Sequence, residues 1–297
     1  MRIFLWIFTL ALGHGIAAGQ SNVLVFQTDF GERDGAVAAM KGVAFGVSSQ
    51  IAIFDITHEI PAYNIWEAAY RLHQVASYWP AGTVFVSVVD PGVGSERRSA
   101  VLKTKSGHYF VSPDNGTFTL VAEFLGIDQL REIDESRNRR QNSTQSYTFH
   151  GRDVYAFTGA RLAAGAISFE QVGPIVIGDL VKMPYQKPLF TKGEIRGNIP
   201  VLDVQYGNVW TNIDAKFFQQ LNISQGDIIE VAIFHSTQEV YKGEVPFVNT
   251  FAEVPEGKVL AYMNSLLNFS LAINMGDFAD QFKVRSGPDW TVVIRKH

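Results

Sequence analysis

The chain predicts a two-part fold: an α/β N-terminal domain, a mainly parallel sheet covered by helices, followed by an all-β, barrel-like C-terminal domain. Three observations carry that expectation. Strand and helix patterns alternate from Val23 to Val89, the order that builds parallel, helix-covered sheets. The run Thr83 to Val89 is apolar at both alternations, as a strand buried on two faces requires. Beyond Pro188 helical periods thin out, and short strand patterns separated by turns take over. Boundaries follow at 1–19 for a leader, 20–187 for the α/β domain and 188–297 for the β domain.

The leader comes first. Arg2 precedes an apolar run from Ile3 to Leu12, and small residues at Ala17, Ala18 and Gly19 end it, which is the pattern of a secretory signal. Its cleavage would place the protein in a periplasm or outside the cell. The alternative is an uncleaved anchor, the one route to membrane contact. Val23 to Thr28 then reads as a strand running into Asp29-Phe30-Gly31, and an Ala/Gly-rich helix follows from Gly35 to Val47. Ile51 to Asp55 is the next strand. Asn64 caps a second helix, with Glu67 at the reciprocal position. Ile65, Ala68, Ala69, Leu72, Val75, Ala76 and Trp79 keep helical spacing along it.

Pro80-Ala81-Gly82 leads into the third strand, which ends in Asp90-Pro91-Gly92. Pro91 fixes its own φ and extends Asp90, and Gly92 suits the turn that follows. A carboxylate is thereby held at the carboxyl end of a core strand, where open α/β sheets place ligands, with Arg97 close enough to fold back on it. On these residues alone, a turn role and a site role for Asp90 stand about even. Ser99 to Thr104 and His108 to Ser112 read as a hairpin, and Thr117 to Leu125 as a helix. Ser136 to Ser146, polar and arginine-rich, reads as a solvated loop. A helix spans Arg152 to Ala164 and stops at Gly165. Pro174, Pro184 and Pro188 mark the connector. Glu194 to Val204, Asn208 to Ile213, Asp227 to Phe234, Glu239 to Val245, Lys258 to Tyr262 and Trp290 to Ile294 read as strands.

Composition narrows the function classes. Hydrophobic residues make up 46% and charged residues 18% of the 297, so a large core is expected. A net charge of −4 gives no basic footprint for nucleic acid. The chain has no cysteine, which excludes disulfides, thiolate catalysis and Cys-bound zinc. His150-x-x-Asp153 has no HExxH or other ligand set beside it, so no metal site is expected. Asp55 and His58 read as a strand-end turn, and His73 and His235 as surface residues.

The segments TDFG (Thr28 to Gly31), DITHEIP (Asp55 to Pro61), GTVFVSVVDPGVGSERR (Gly82 to Arg98), PDNG (Pro113 to Gly116), FHGRD (Phe149 to Asp153) and YGNVWTNI (Tyr206 to Ile213) together resemble the S-adenosylmethionine hydroxide adenosyltransferases, relatives of the fluorinating and chlorinating adenosyl-transferring enzymes. The set covers nearly everything after the leader, in the family's order. The resemblance implies an α/β domain joined to a β-barrel and a homotrimer with each site formed between neighbouring subunits. It also implies S-adenosylmethionine as substrate with no further cofactor. Asp90, Arg97 and His150 match the hydroxide-using members' catalytic set, which favours water over halide.

The chemistry so implied is displacement at C5′ of a sulfonium, giving adenosine and methionine. The leaving group is a neutral thioether and needs no general acid; an oriented, polarised water is required. Asp90 would be base or orienter, Arg97 would keep it ionised, and His150 would be a second donor or acceptor. By the same resemblance Asp29 takes the ribose hydroxyls, and Tyr63 packs near the sugar or the sulfur. Asp203, Tyr206 and Asn208 belong to the methionine side, with Ser265 for its carboxylate. Leu266 departs from the arginine that halide-using members carry there. Asn115 is either a ligand or a turn residue. Halide transfer and an exported adenosyl-binding protein without turnover are the competing readings.

Overall fold

The computed structural model describes residues 21–297; the leader expected at residues 1–19 lies outside the described residues. Two compact units divide the described residues, the first ending at Val181 and the second spanning Lys182–His297, and Pro188 falls inside the second.

In the first unit β1 (Val23–Thr28), α1 (Ala36–Val47), β2 (Ala52–Thr57), α2 (Ile65–Ala76) and β3 (Val84–Val88) follow the expected alternation. Then come β4 (Ser99–Thr104), β5 (Tyr109–Pro113), α3 (Thr119–Leu125), β6 (Ile127–Glu132) and α4 (Glu135–Asn138). The expected helix at Arg152 is a π-helical turn, Gly151–Ala156, that runs into α5 (Phe157–Ala163). Neither β6 nor the π turn was expected. The sheet order is β2-β1-β3-β5-β4-β6. The first four strands pair in parallel, and β4 runs antiparallel to β5 and β6.

β3 lies inside this sheet and is buried along its length. Its alternation feeds two cores, because successive side chains leave on opposite faces. Val84, Val86 and Val88 join Leu24, Phe26 and, from α1, Met40 and Ala44. Phe85 joins Val25, Phe110, Leu72 of α2 and Val121 of α3. α5 approaches the sheet so closely that a Cβ on Gly159 would stand 2.4 Å from Val86, so only glycine fits there. Asn64 caps α2 as expected, accepting from the Glu67 N–H at 3.0 Å. The packed layers hold the carboxyl ends of β1 and β3 side by side, which places Asp29 near Asp90.

The second unit contains β7 (Leu189–Thr191), β8 (Glu194–Ile199), β9 (Val201–Leu202), β10 (Val209–Asp214), α6 (Ala215–Phe218), β11 (Ile228–His235), β12 (Gln238–Pro246), β13 (Val259–Met263), β14 (Asn268–Ile273), α7 (Phe278–Gln281) and β15 (Gly287–Lys296). They form two antiparallel sheets, β12-β11-β15-β8-β7 and β13-β14-β10-β9. The chain changes sheet between β8 and β9 at Pro200, which has no N–H to continue a ladder. A parallel bridge between Phe247 and Ala261 ties the end of β12 to β13. These two links give the barrel-like closure, around one core that takes Ile195, Val231 and Val292 from one sheet and Val209, Phe269 and Leu271 from the other.

Candidate active site

Strand ends of the first unit surround a cavity of about 240 Å³, lined by Asp29, Phe30, Ala62, Tyr63, Val88, Asp90, Val93, Thr148, Phe149, His150 and Gly151. Asp29, Tyr63, Asp90 and His150 were singled out from the sequence, and Arg97 reaches the site through Asp90. The Arg97 Nε donates to Asp90 Oδ1 at 2.8 Å, and its Nη2 donates to Asp90 Oδ2. This is the two-pronged guanidinium–carboxylate pair, the strongest side-chain hydrogen-bond geometry. The Asp90 side chain is 5% exposed.

Two further groups fix the pair. Arg97 Nη1 donates to Ser99 Oγ at 3.1 Å, and Ser99 Oγ meets the Tyr155 hydroxyl at 3.1 Å. That hydroxyl lies 3.5 Å from Asp90 Oδ2, and the guanidinium sits over the Tyr155 ring at 5.7 Å. Burial, reinforced by Asp90, pushes the Tyr155 hydroxyl well above the usual phenol range, so it stays a neutral donor. Burial works against the Arg97 charge, but the hydrogen bonds to Asp90 and the nearby carboxylates outweigh it and raise its pKa. Neither Ser99 nor Tyr155 carried a local sequence signal.

Asp29 follows β1, and its Oδ2 accepts from the Tyr63 backbone N–H at 2.9 Å. Tyr63 has a left-handed backbone, φ +69°, uncommon outside glycine, and the residue is 73% exposed. Burial raises the Asp29 pKa, with Asp90 adding to it, against the opposing Tyr63 hydrogen bond. Asp29 and Asp90 both face this cavity, and of the two only Asp90 is paired with Arg97, which suits the cavity to a cation.

His150 enters from the start of the π-helical turn, a feature common at functional sites. Gly151 sits so tightly that a Cβ would lie 3.2 Å from the Phe30 ring and 3.3 Å from Val88. Behind His150 stands Arg139, only 9% exposed; with Asn138 and Ser143 it is buried within a segment, 136–146, that is otherwise mostly exposed, as its polarity predicted. It donates to Glu135 Oε2 at 2.7 Å and to the Ser146 carbonyl at 3.1 Å.

Asn115 does not line this cavity. Its Nδ2 donates to the Val89 carbonyl at 2.9 Å, and its Oδ1 accepts from the Thr117 hydroxyl at 2.8 Å. His58, buried, bridges Thr28 Oγ1 at 2.9 Å and Asp55 Oδ1 at 3.0 Å, which ties the second strand end to the first. His73 is half-buried and stacks on Phe124 rather than standing free on the surface. Burial lowers its pKa.

The remaining candidates gather in the second unit. Asp203, Tyr206, Asn208 and Ser265 line a cavity of about 710 Å³, together with Trp210, Phe251, Tyr262 and Asn264, which the sequence reading did not single out as site residues. Asn208 Nδ2 lies 3.4 Å from Asp203 Oδ2, and the Asp203 N–H donates to the Asn208 carbonyl at 2.9 Å. Gly207 makes this turn possible. Its φ is +64°, and a Cβ there would fall 1.9 Å from Asp277 Oδ1. Burial pushes the Tyr262 hydroxyl up to about 12. Asn264 spends its Oδ1 on the Leu266 and Asn268 N–H groups, at 2.9 and 3.0 Å. Among the described residues no group of three or more His, Cys, Asp or Glu is placed to hold a metal ion.

An α/β unit with a guanidinium-clamped carboxylate at its strand ends, followed by a β unit with an aromatic-walled cavity, defines a class of small-molecule enzyme. The chain matches the SAM hydroxide adenosyltransferase N-terminal domain over residues 24–173 and the corresponding C-terminal domain over 197–291. It belongs to that family. A protein of Methanocaldococcus jannaschii named (R)-S-adenosyl-L-methionine hydrolase is 48% identical over 145 residues, 48% of this chain and 53% of that one. One of the same name from Thermus thermophilus is 32% identical over 268 residues, 88% of this chain and 96% of its own. A fluorinase of Actinopolyspora mzabensis is 26% identical over 89% of this chain and 95% of its own. A crystal structure of an uncharacterized conserved protein from Thermotoga maritima superposes with a TM-score of 0.85 at 32% identity, covering 92% of this chain and all of that one.

Proposed function

We propose that this protein hydrolyses S-adenosyl-L-methionine to adenosine and L-methionine. The observation that carries the reading is the Asp90–Arg97 pair, set in one cavity with Asp29 and His150. Water supplies the nucleophilic oxygen to C5′, the C5′–S bond breaks, and the sulfonium electron pair returns to sulfur as methionine leaves neutral. One proton is released from the water. Both Asp90 oxygens already accept from Arg97. Asp90 therefore acts as an orienting acceptor for the water, and the proton passes to solvent. The cation-favouring pair of carboxylates selects the sulfonium, and Asp29 takes the ribose hydroxyls. Tyr63 packs beside the sugar.

Asp203, Tyr206, Asn208 and Ser265 bind the remainder of the substrate from the second cavity. The first cavity, at about 240 Å³, falls below the roughly 300–1,000 Å³ usual for ligand pockets. That favours a site completed by another subunit's β unit, as in the homotrimer that the family resemblance implies. No cofactor enters the reaction. The leader pattern favours export, with cleavage near Gly19. The names of the relatives point to the (R) sulfonium epimer as the form consumed.

The experiment is incubation with the separated (R) and (S) epimers, with and without chloride, and chromatography of the nucleoside. Adenosine released independently of chloride is expected. A 5′-chlorinated nucleoside would favour halide transfer, and bound, unchanged substrate a binding protein.

A further inference from the structure

The cavity presents His150, but the structure says more about that ring than its position. Arg139 Nη1 approaches His150 Nε2 at 3.3 Å. An arginine is protonated at every working pH and can only donate. Nε2 must then supply a lone pair. Glu135 Oε2, the alternative partner, is 3.7 Å from the same nitrogen, beyond hydrogen-bond reach. It instead accepts from Arg139 at 2.7 Å and so anchors the guanidinium. Ser146 and the Tyr147 ring, 4.6 Å below the guanidinium carbon, hold Arg139 on its other sides. The other imidazole nitrogen, Nδ1, is buried and has no protein partner.

We propose that Arg139, anchored by Glu135, is a positioning residue that fixes His150 as the Nδ1–H tautomer, with Nε2 spent as an acceptor, so that the imidazole is not a base. This rests on the hydrolase reading above. In that reaction the imidazole is held as part of the cavity wall and takes no proton from the water, whose hydrogens remain for Asp90. The charged and titratable groups around the ring are Arg139, Glu135 and Tyr147, with Asp29 and Asp90 lining the same cavity.

The direct test is neutron diffraction from deuterated crystals of the wild-type protein. A deuteron on Nδ1 and none on Nε2 is expected; a deuteron on Nε2 directed at Glu135 would overturn the assignment. This readout needs no turnover, so absence of adenosine release would sink the hydrolase reading without touching the tautomer.

Kinetics supply the second arm. Arg139→Met should lower kcat by about tenfold with little change in KM. Arg139→Lys should restore part of the lost kcat. A kcat unmoved in a folded Arg139→Met variant would reduce Arg139 to packing.

Discussion

The two cavities differ in kind. The one in the α/β unit is small and charged, and its key side chains are locked to one another: Arg97 grips Asp90 at both oxygens, and Ser99 and Tyr155 brace the pair. The one in the β unit is about three times larger and walled by Tyr206, Trp210, Phe251 and Tyr262, with Asp203 and Asp277 its only acids. Ionised groups held rigid are what electrostatic catalysis requires. Aromatic walls with a few polar atoms are what recognition requires. The division implies that damage to the Asp90–Arg97 pair should appear mainly in kcat and damage to the second cavity in KM.

The hardest blow to that contrast is Asp90→Ala. It should cut kcat by about 10³-fold, the order seen when an electrostatic partner of the reacting centre is lost, with a smaller loss of substrate affinity by calorimetry, since Asp90 also faces the sulfonium. Full turnover in that variant would dissolve the distinction. Next is Gly207→Ala, which forces a side chain into a left-handed position against Asp277. A destabilisation of about 2 kcal/mol or more is expected from strain and overpacking, read as a lower Tm, with KM raised in whatever protein remains folded. Tyr206→Ala sharpens the comparison: loss of one aromatic wall should raise KM about tenfold and leave kcat within a few-fold.

The smallest effect concerns Asp29→Asn. Burial raises the Asp29 pKa in the folded protein, so the unfolded chain gives up this proton first as pH rises, and folding loses stability through that window. The variant should therefore melt slightly higher than wild type at pH 7. The gain should vanish once pH falls below the unfolded carboxylate value, near 3.8. Substrate binding should weaken at the same time, the usual exchange between stability and function.

Much of the first cavity could be read from the sequence because its parts are local. Asp90 and Arg97 are seven residues apart across one turn, and TDFG and FHGRD each present a site residue beside a strand end or helix start. The bracing groups could not be read that way. Ser99 opens an ordinary strand, Tyr155 lies inside a π turn, and Glu135 and Arg139 belong to a segment whose polarity signals solvent. Arg139 is buried only because the fold supplies Glu135, Ser146 and Tyr147 around it. In the β unit β14 escaped notice although Phe269, Leu271 and Ile273 alternate, because Asn268 and Ser270 resemble turn residues. Two-residue alternation with polar partners is a weak signal in so short a run.

Asn115 has a consequence of its own. By clasping the Val89 carbonyl one residue before Asp90, it lets the exit of β5 dictate where the tip of β3 comes to rest. A drift of half an ångström at that clasp would leave each wall of the pocket intact and each ligand contact available, yet tilt the water off the C5′–S axis. An enzyme so built can fall silent through a residue that never meets its substrate.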